Sequence, residues 1–131
     1  MQCRFSDEHF WALCNPAENF ATPYGITLNS ANTLVFVASI FGQTVQRCKV
    51  DASGIFTDCS IAASEGGSLG VINGPSDVAL NSDLTRAFVL NYSSNSVAQC
   101  PITDSMTGDF GTCTNTGGDG YSSAFTITLL N

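Results

Sequence analysis

The sequence predicts an all-β fold made of repeated four-stranded antiparallel sheets. Three observations predict it: a unit that recurs at a spacing of 52 residues, cysteines spaced in pairs, and short apolar alternations with no helical periodicity. Pro23-Tyr-Gly-Ile-Thr-Leu-Asn29 returns as Pro75-Ser-Asp-Val-Ala-Leu-Asn81, Val35-Phe-Val-Ala38 as Ala87-Phe-Val-Leu90, and Thr44-Val45-Gln-Arg-Cys48 as Ser96-Val97-Ala-Gln-Cys100. Such self-similarity is read before any single element, because it decides the whole architecture.

Within the first unit, Ile26 and Leu28 alternate as an opening strand, and Leu34-Val-Phe-Val-Ala38 is a nearly continuous apolar run, as expected of a strand covered on both faces. Val45 to Val50 alternates as the third strand. Gly54 to Cys59 follows the turn Asp51-Ala-Ser-Gly54 as the fourth. The second unit repeats this with Val78/Leu80, Ala87 to Leu90, Val97 to Ile102, and Asp109 to Cys113 after Thr107-Gly108. Asn29-Ser-Ala-Asn32, Asn81-Ser-Asp83 and Asn91-Tyr-Ser-Ser-Asn95 suit tight turns, since Asn and Asp bond their own backbone and tolerate positive φ. Ile61 to Gly74 and Thr114 to Ser123, rich in Gly and Ser, read as connections.

Four short antiparallel strands every 40 to 52 residues are the signature of β-propeller blades. The boundaries this predicts are the end of a partial blade over 1–22, full blades over 23–74 and 75–120, and the first strand of another over 121–131, where Ala124 to Leu129 resembles the opening strand. That amounts to about two and three-quarter blades in a single propeller-repeat domain. Propellers close at about 4–8 blades. The expectation is therefore that neighbouring copies complete the blades head to tail, as a homo-oligomer, ring or filament. The competing reading is an excerpt of a longer propeller.

Thr85-Arg-Ala-Phe-Val-Leu-Asn91-Tyr-Ser-Ser-Asn95-Ser-Val97, placed between the Pro-Ser-Asp-Val-Ala-Leu-Asn opening and the Thr107 to Phe110 hairpin, resembles the Tyr-Val-Thr-Asn ("YVTN") repeat of lactonase-like and surface-layer β-propellers, which are similar to NHL-type blades. In the first unit Phe36-Val-Ala-Ser39 stands in the motif's place. The resemblance covers nearly the whole chain, and it is one of scaffold, shared by propellers with unrelated functions. It implies acidic and histidine groups converging on a central channel, and no such set maps onto this chain.

The six cysteines fall as Cys3/Cys14, Cys48/Cys59 and Cys100/Cys113, each pair spanning the hairpin between third and fourth strands. The repeat selects this connectivity among the fifteen that six cysteines allow. Disulfides are expected over free thiols or a metal site, because there is no Cys-x-x-Cys and His9 is the sole histidine. Oxidised pairs point to an extracellular or cell-surface setting. There Asn91 reads first as an ordinary turn residue, and Asn91-Tyr92-Ser93 is a candidate glycosylation triplet as the alternative if the source is eukaryotic or archaeal.

With 11 acidic residues against 4 Lys and Arg, the net charge is −7, so counterion release on nucleic acid is not expected. No apolar run approaches the roughly 18–20 residues that span a bilayer, and membrane insertion is not expected. The opening Met1 to Glu8 is too polar for a signal peptide.

No nucleophile, base and orienting group present themselves, since His9 sits in an outer hairpin beside Phe10 and Trp11. Asp77 is a candidate for a cation site near the axis, and its counterpart Gly25 implies no carboxylate ring. Thr116 to Tyr121 offers a glycine-rich turn with one carboxylate, Asp119. Trp11, Tyr24, Tyr92 and Tyr121 are candidates for stacking on sugar rings. The reading is a structural, self-assembling extracellular protein, not an enzyme, with no catalytic residues, metal or cofactor. A carbohydrate- or ligand-binding module is the alternative, and a lactonase-like hydrolase fragment the third.

Overall fold

Leu34–Ser39 is buried at all six positions, so it must be a strand with a partner on each edge and a packed layer on each face. The structure, a computed structural model, describes residues 2–6, 9–15, 22–64, 71–116 and 126–129, with side chains described from Thr22 onward. Gln2–Ser6 (β1) and His9–Asn15 (β2) form an antiparallel hairpin in which Cys3 lies opposite Cys14.

Pro23–Leu28 (β3), Leu34–Ser39 (β4), Thr44–Val50 (β5) and Phe56–Ser64 (β6) make the first four-stranded antiparallel sheet, in the order β3-β4-β5-β6. Pro75–Leu80 (β7), Arg86–Asn91 (β8) and Ser96–Asp104 (β9) repeat the first three strands, with Asp109–Phe110 (β10) and Thr114–Asn115 (β11) both pairing with β9. These all-β, four-stranded antiparallel sheets are the predicted blades. The described residues contain no helix.

The repeat extends to backbone detail. Each opening strand is bulged at its second residue, Tyr24 and Ser76, where the register slips by one. The side-chain oxygen of Asn29 accepts from the Thr33 and Leu34 amides at 2.8 and 2.9 Å, and that of Asn81 accepts from Thr85 and Arg86 at 3.0 and 2.8 Å. Positive φ recurs at Asn32 and Leu84, at Gln43 and Asn95, and at Gly54 and Gly108.

The fourth strands depart from expectation. β6 runs through Ser64, taking in residues 61–64 that read as a connection, because Ile61 and Ala63 continue the pairing with Gln46 and Val45. In the second blade the fourth strand is broken into β10 and β11. Pro101 stands where the first blade has Lys49. Its carbonyl accepts from the Gly111 amide at 2.7 Å, so its nitrogen faces the same edge and has no proton to continue the ladder. Short β11, at 114–115, falls at the start of a segment that also read as a connection.

The two blades pack face to face. Leu34, Phe36 and Ala38 project from β4 into one cluster with Val78, Ala87, Val89, Ala98, Cys100 and Cys113, while Val35, Val37 and Cys48 bury the opposite face of the first blade. The Phe36 ring stacks on Phe110, centroids 5.4 Å apart and planes 14° from parallel. Gly108 lies beneath it: a Cβ there would stand 2.9 Å from the Phe36 ring. Its repeat counterpart Gly54 has nothing within 4 Å.

This asymmetry gives a direct reading of the interface. Gly54→Ala is expected to cost about 1–2 kcal/mol from left-handed backbone alone. Gly108→Ala adds an overpacking cost of about 1–3 kcal/mol against Phe36. Urea unfolding of both variants checks the difference.

Candidate functional site

The blade-to-blade seam holds the polar contact of greatest sequence separation among the described residues, Arg47 with Asp109. Arg47 on β5 reaches Asp109 on β10, with Nε and Nη2 donating to Asp109 Oδ1 at 3.0 and 2.6 Å. The guanidinium side chain is 13% exposed and the carboxylate 49%. Thr107 donates its hydroxyl to the other carboxylate oxygen at 2.8 Å. The Thr107 bond first, and the Arg47 bond with it, holds the Asp109 carboxyl below its usual value, burial opposing weakly. Arg47 also donates to the Asp58 carbonyl at 3.3 Å, tying the seam to the bulged fourth strand of its own blade. Gln43 Oε1 accepts from the Gly74 amide at 2.7 Å, holding the approach to β7.

Two disulfides staple the fourth strands to the third: Cys48–Cys59 and Cys100–Cys113, with Cα atoms 4.1 Å apart in each. The halves of these pairs are not directly opposed in an unbroken ladder. The pairing slips between Arg47 and Lys49, with Asp58 at φ 50°, and Cys113 lies in the break between β10 and β11. Cys3 and Cys14 face one another by backbone register, and their side chains lie outside the described ones.

Asn91 is the clearest correction to the sequence reading. It is fully buried, its Oδ1 accepting from the Asn73 amide at 3.0 Å and its Nδ2 donating to the Val71 carbonyl at 2.8 Å. A glycan on Nδ2 has no room in this fold, and the residue instead clamps the segment leading into β7. Ser39 occupies the same repeat position in the first blade, buried, its hydroxyl without a hydrogen-bond partner among the described residues.

Asp77 is equally committed. Its two carboxylate oxygens accept from the Val78 and Ile127 amides, each at 2.9 Å, so it anchors residues 126–129 beside β7. Among the described residues no three His, Cys, Asp or Glu groups converge on a metal-sized site. Tyr24 is exposed on β3 and Tyr92 half-buried past β8, on different blades. The Trp11 and His9 side chains, Asp119 and Tyr121 lie outside the described residues. A cavity of about 250 Å³ between the β3–β4 and β7–β8 turns is lined by Leu28, Leu80 and Leu84 with Ser30, Ser82 and the two turn asparagines, whose amides are already spent on the turns. The seam contacts Arg47–Asp109 and Phe36–Gly108 are absent from the sequence reading; the ion pair lies where the two units differ, Arg47 answering to Gln99 and Asp109 to Ile55.

No protein-family model and no curated protein matches the chain. Solved structures do match. They include a candidate 6-phosphogluconolactonase of Bacteroides fragilis NCTC 9343 (TM-score 0.60, 14% identity, covering 88% of this chain and 31% of that one). A luciferin-regenerating enzyme matches with TM-score 0.58 and 11% identity, over 74% of this chain and 31% of that one. A functionally unknown protein from Desulfotomaculum acetoxidans DSM 771 matches with TM-score 0.57 and 16% identity, over 71% of this chain and 26% of that one. The chain thus spans between a quarter and a third of the length of these structures. At these identities the likeness is one of fold, and the fold is of the β-propeller type. It also corrects one expectation. The lack of a catalytic set in the sequence read as a non-enzyme, but the fold is shared with enzymes, so that exclusion does not stand.

Two measurements follow from the seam. Asp109's native pKa is depressed, so its contribution to stability is complete above the unfolded value near 3.9 and is lost as pH falls through the native one. The stability gap between wild type and Asp109→Asn is therefore expected to narrow as urea denaturation is moved from about pH 5 down through the carboxylate range. Asn91→Ala, which removes the partner of two partly buried backbone groups, is expected to cost about 1–3 kcal/mol in the same assay.

Proposed function

We propose that the chain is an extracellular propeller-repeat unit that associates head to tail with further copies, each completing the other's blades. One observation carries the reading. Ile26 on β3 is 58% exposed, while its repeat counterpart Val78 on β7, covered by the first blade, is 2% exposed. Tyr24 and Leu28 are likewise exposed, and the counterpart of Tyr24, Ser76, is fully buried. The same repeat positions are thus packed on β7, against the first blade, and exposed on β3. A cavity of about 540 Å³ bordered by Val50, Gly54 and Leu28 supports the reading: on the second blade Phe36 and Leu34 fill the space at the equivalent glycine. Exposed apolar side chains grouped as Tyr24, Ile26 and Leu28 are on one strand mark interaction sites.

The two disulfides support the extracellular part, since such bridges persist in oxidising compartments. Low charge density supports the association, since only 11% of residues are charged despite the net −7.

Size-exclusion chromatography with light scattering, followed by electron microscopy of the same fractions, tests the proposal. Particles of at least two copies are expected. A folded, concentration-independent monomer overturns it.

A further inference from the structure

We infer that residues 126–129 of a second copy form the strand that covers the exposed face of β3; this rests on the assembly reading above and names its contact surface. The inference follows from how first strands stack inside the chain. β3 leans on β7 at Gly25, where a Cβ would stand 2.4 Å from the Ser76 carbonyl oxygen and 2.6 Å from Asp77 Oδ1, a closeness only glycine admits. β7 in turn holds residues 126–129 through the Asp77 carboxylate and the Ile127 amide. The order is therefore β3, β7, 126–129, each segment showing one face backward to the one before it and one forward.

Ile127-Thr128-Leu129 reproduces Ile26-Thr27-Leu28 residue for residue, which fixes the alignment of this segment on β3. In that alignment Ile127 and Leu129 take the backward-facing places of Val78 and Leu80. They are half-buried, while Thr126 and Thr128, at the forward-facing places of Gly25 and Thr27, are exposed. Among the described residues, Thr126 and Thr128 are thus exposed on the forward side and Ile26 and Leu28 on the backward side. In the stacking pattern of the fold these are successive surfaces. Neither segment contains a charged residue, so the copies' shared negative charge raises no local barrier to their meeting. A contact between two different patches is heterologous: each copy offers one of each, and association propagates in one direction.

Complementary variants test it. Ile26→Glu spoils only the backward face and Thr128→Glu only the forward edge. Both positions are exposed, so each variant is expected to keep the wild-type near-ultraviolet circular dichroism. Where the wild type assembles, light scattering should find each variant alone at monomer mass and their equimolar mixture at twice that mass, because each brings the face the other lacks. Should either substitution disturb the fold, Leu28→Glu and Thr126→Glu probe the same two surfaces. Variants that assemble like wild type, or a mixture that stays monomeric, overturn the contact while leaving self-association intact. A monomeric wild type overturns the assembly reading and the contact with it.

Discussion

A four-stranded sheet that is apolar on both faces cannot satisfy itself. Everything else in this structure follows from that constraint. β4 carries Leu34, Phe36 and Ala38 on one side and Val35 and Val37 on the other, all buried, so a blade is stable only between two layers. The second blade meets this demand on one flank with Ala87, Val89 and Cys100, placed by the same alternation one unit later. Stacking of blades is therefore the tertiary structure itself, and a strand face with no layer over it costs the hydrophobic free energy of every side chain left in water.

Much of the scaffold was legible in the sequence because its signals are local. Alternation placed the strands of both blades, and Asn29 and Asn81 announced turns whose geometry proves nearly superposable. The misreadings are equally physical. The segment after Cys59 looked like a connection because Ser and Gly follow soon, yet Ile61 and Ala63 still pair with β5. The fourth strand of the second blade looked continuous because Pro101 lies in β9, and its missing proton acts on the neighbouring edge. Asn91 read as a surface residue from its triplet, while the clamp it forms joins positions 18 and 20 residues apart. The seam was illegible for a related reason. Arg47 and Asp109 are 62 residues apart, and neither recurs in the other unit, so a search for repetition passes over them.

The fold and the function stand on different footing here. Propeller-type architecture is shared with enzymes and with a protein of unknown activity, and four-stranded blades say little about what the surfaces between and around them do. The distribution of committed groups is more informative. Asp77, Asn29, Asn81 and Asn91, polar residues that composition alone would offer as ligand contacts, turn their hydrogen bonds inward, to backbone and, for the asparagines, to neighbouring hydroxyls as well. The chain invests its few polar interior groups in holding segments against one another.

The Arg47–Asp109 pair has a consequence for order. Were blades interchangeable parts, any one might be laid on any other, including a first blade on a first blade. In that arrangement Arg47 would meet Ile55 in place of a carboxylate, and its largely enclosed guanidinium would be left without a counter-charge, an arrangement far costlier than the pair itself is valuable. A single unrepeated ion pair thus gives an otherwise periodic stack an address, and tells the first sheet from the second.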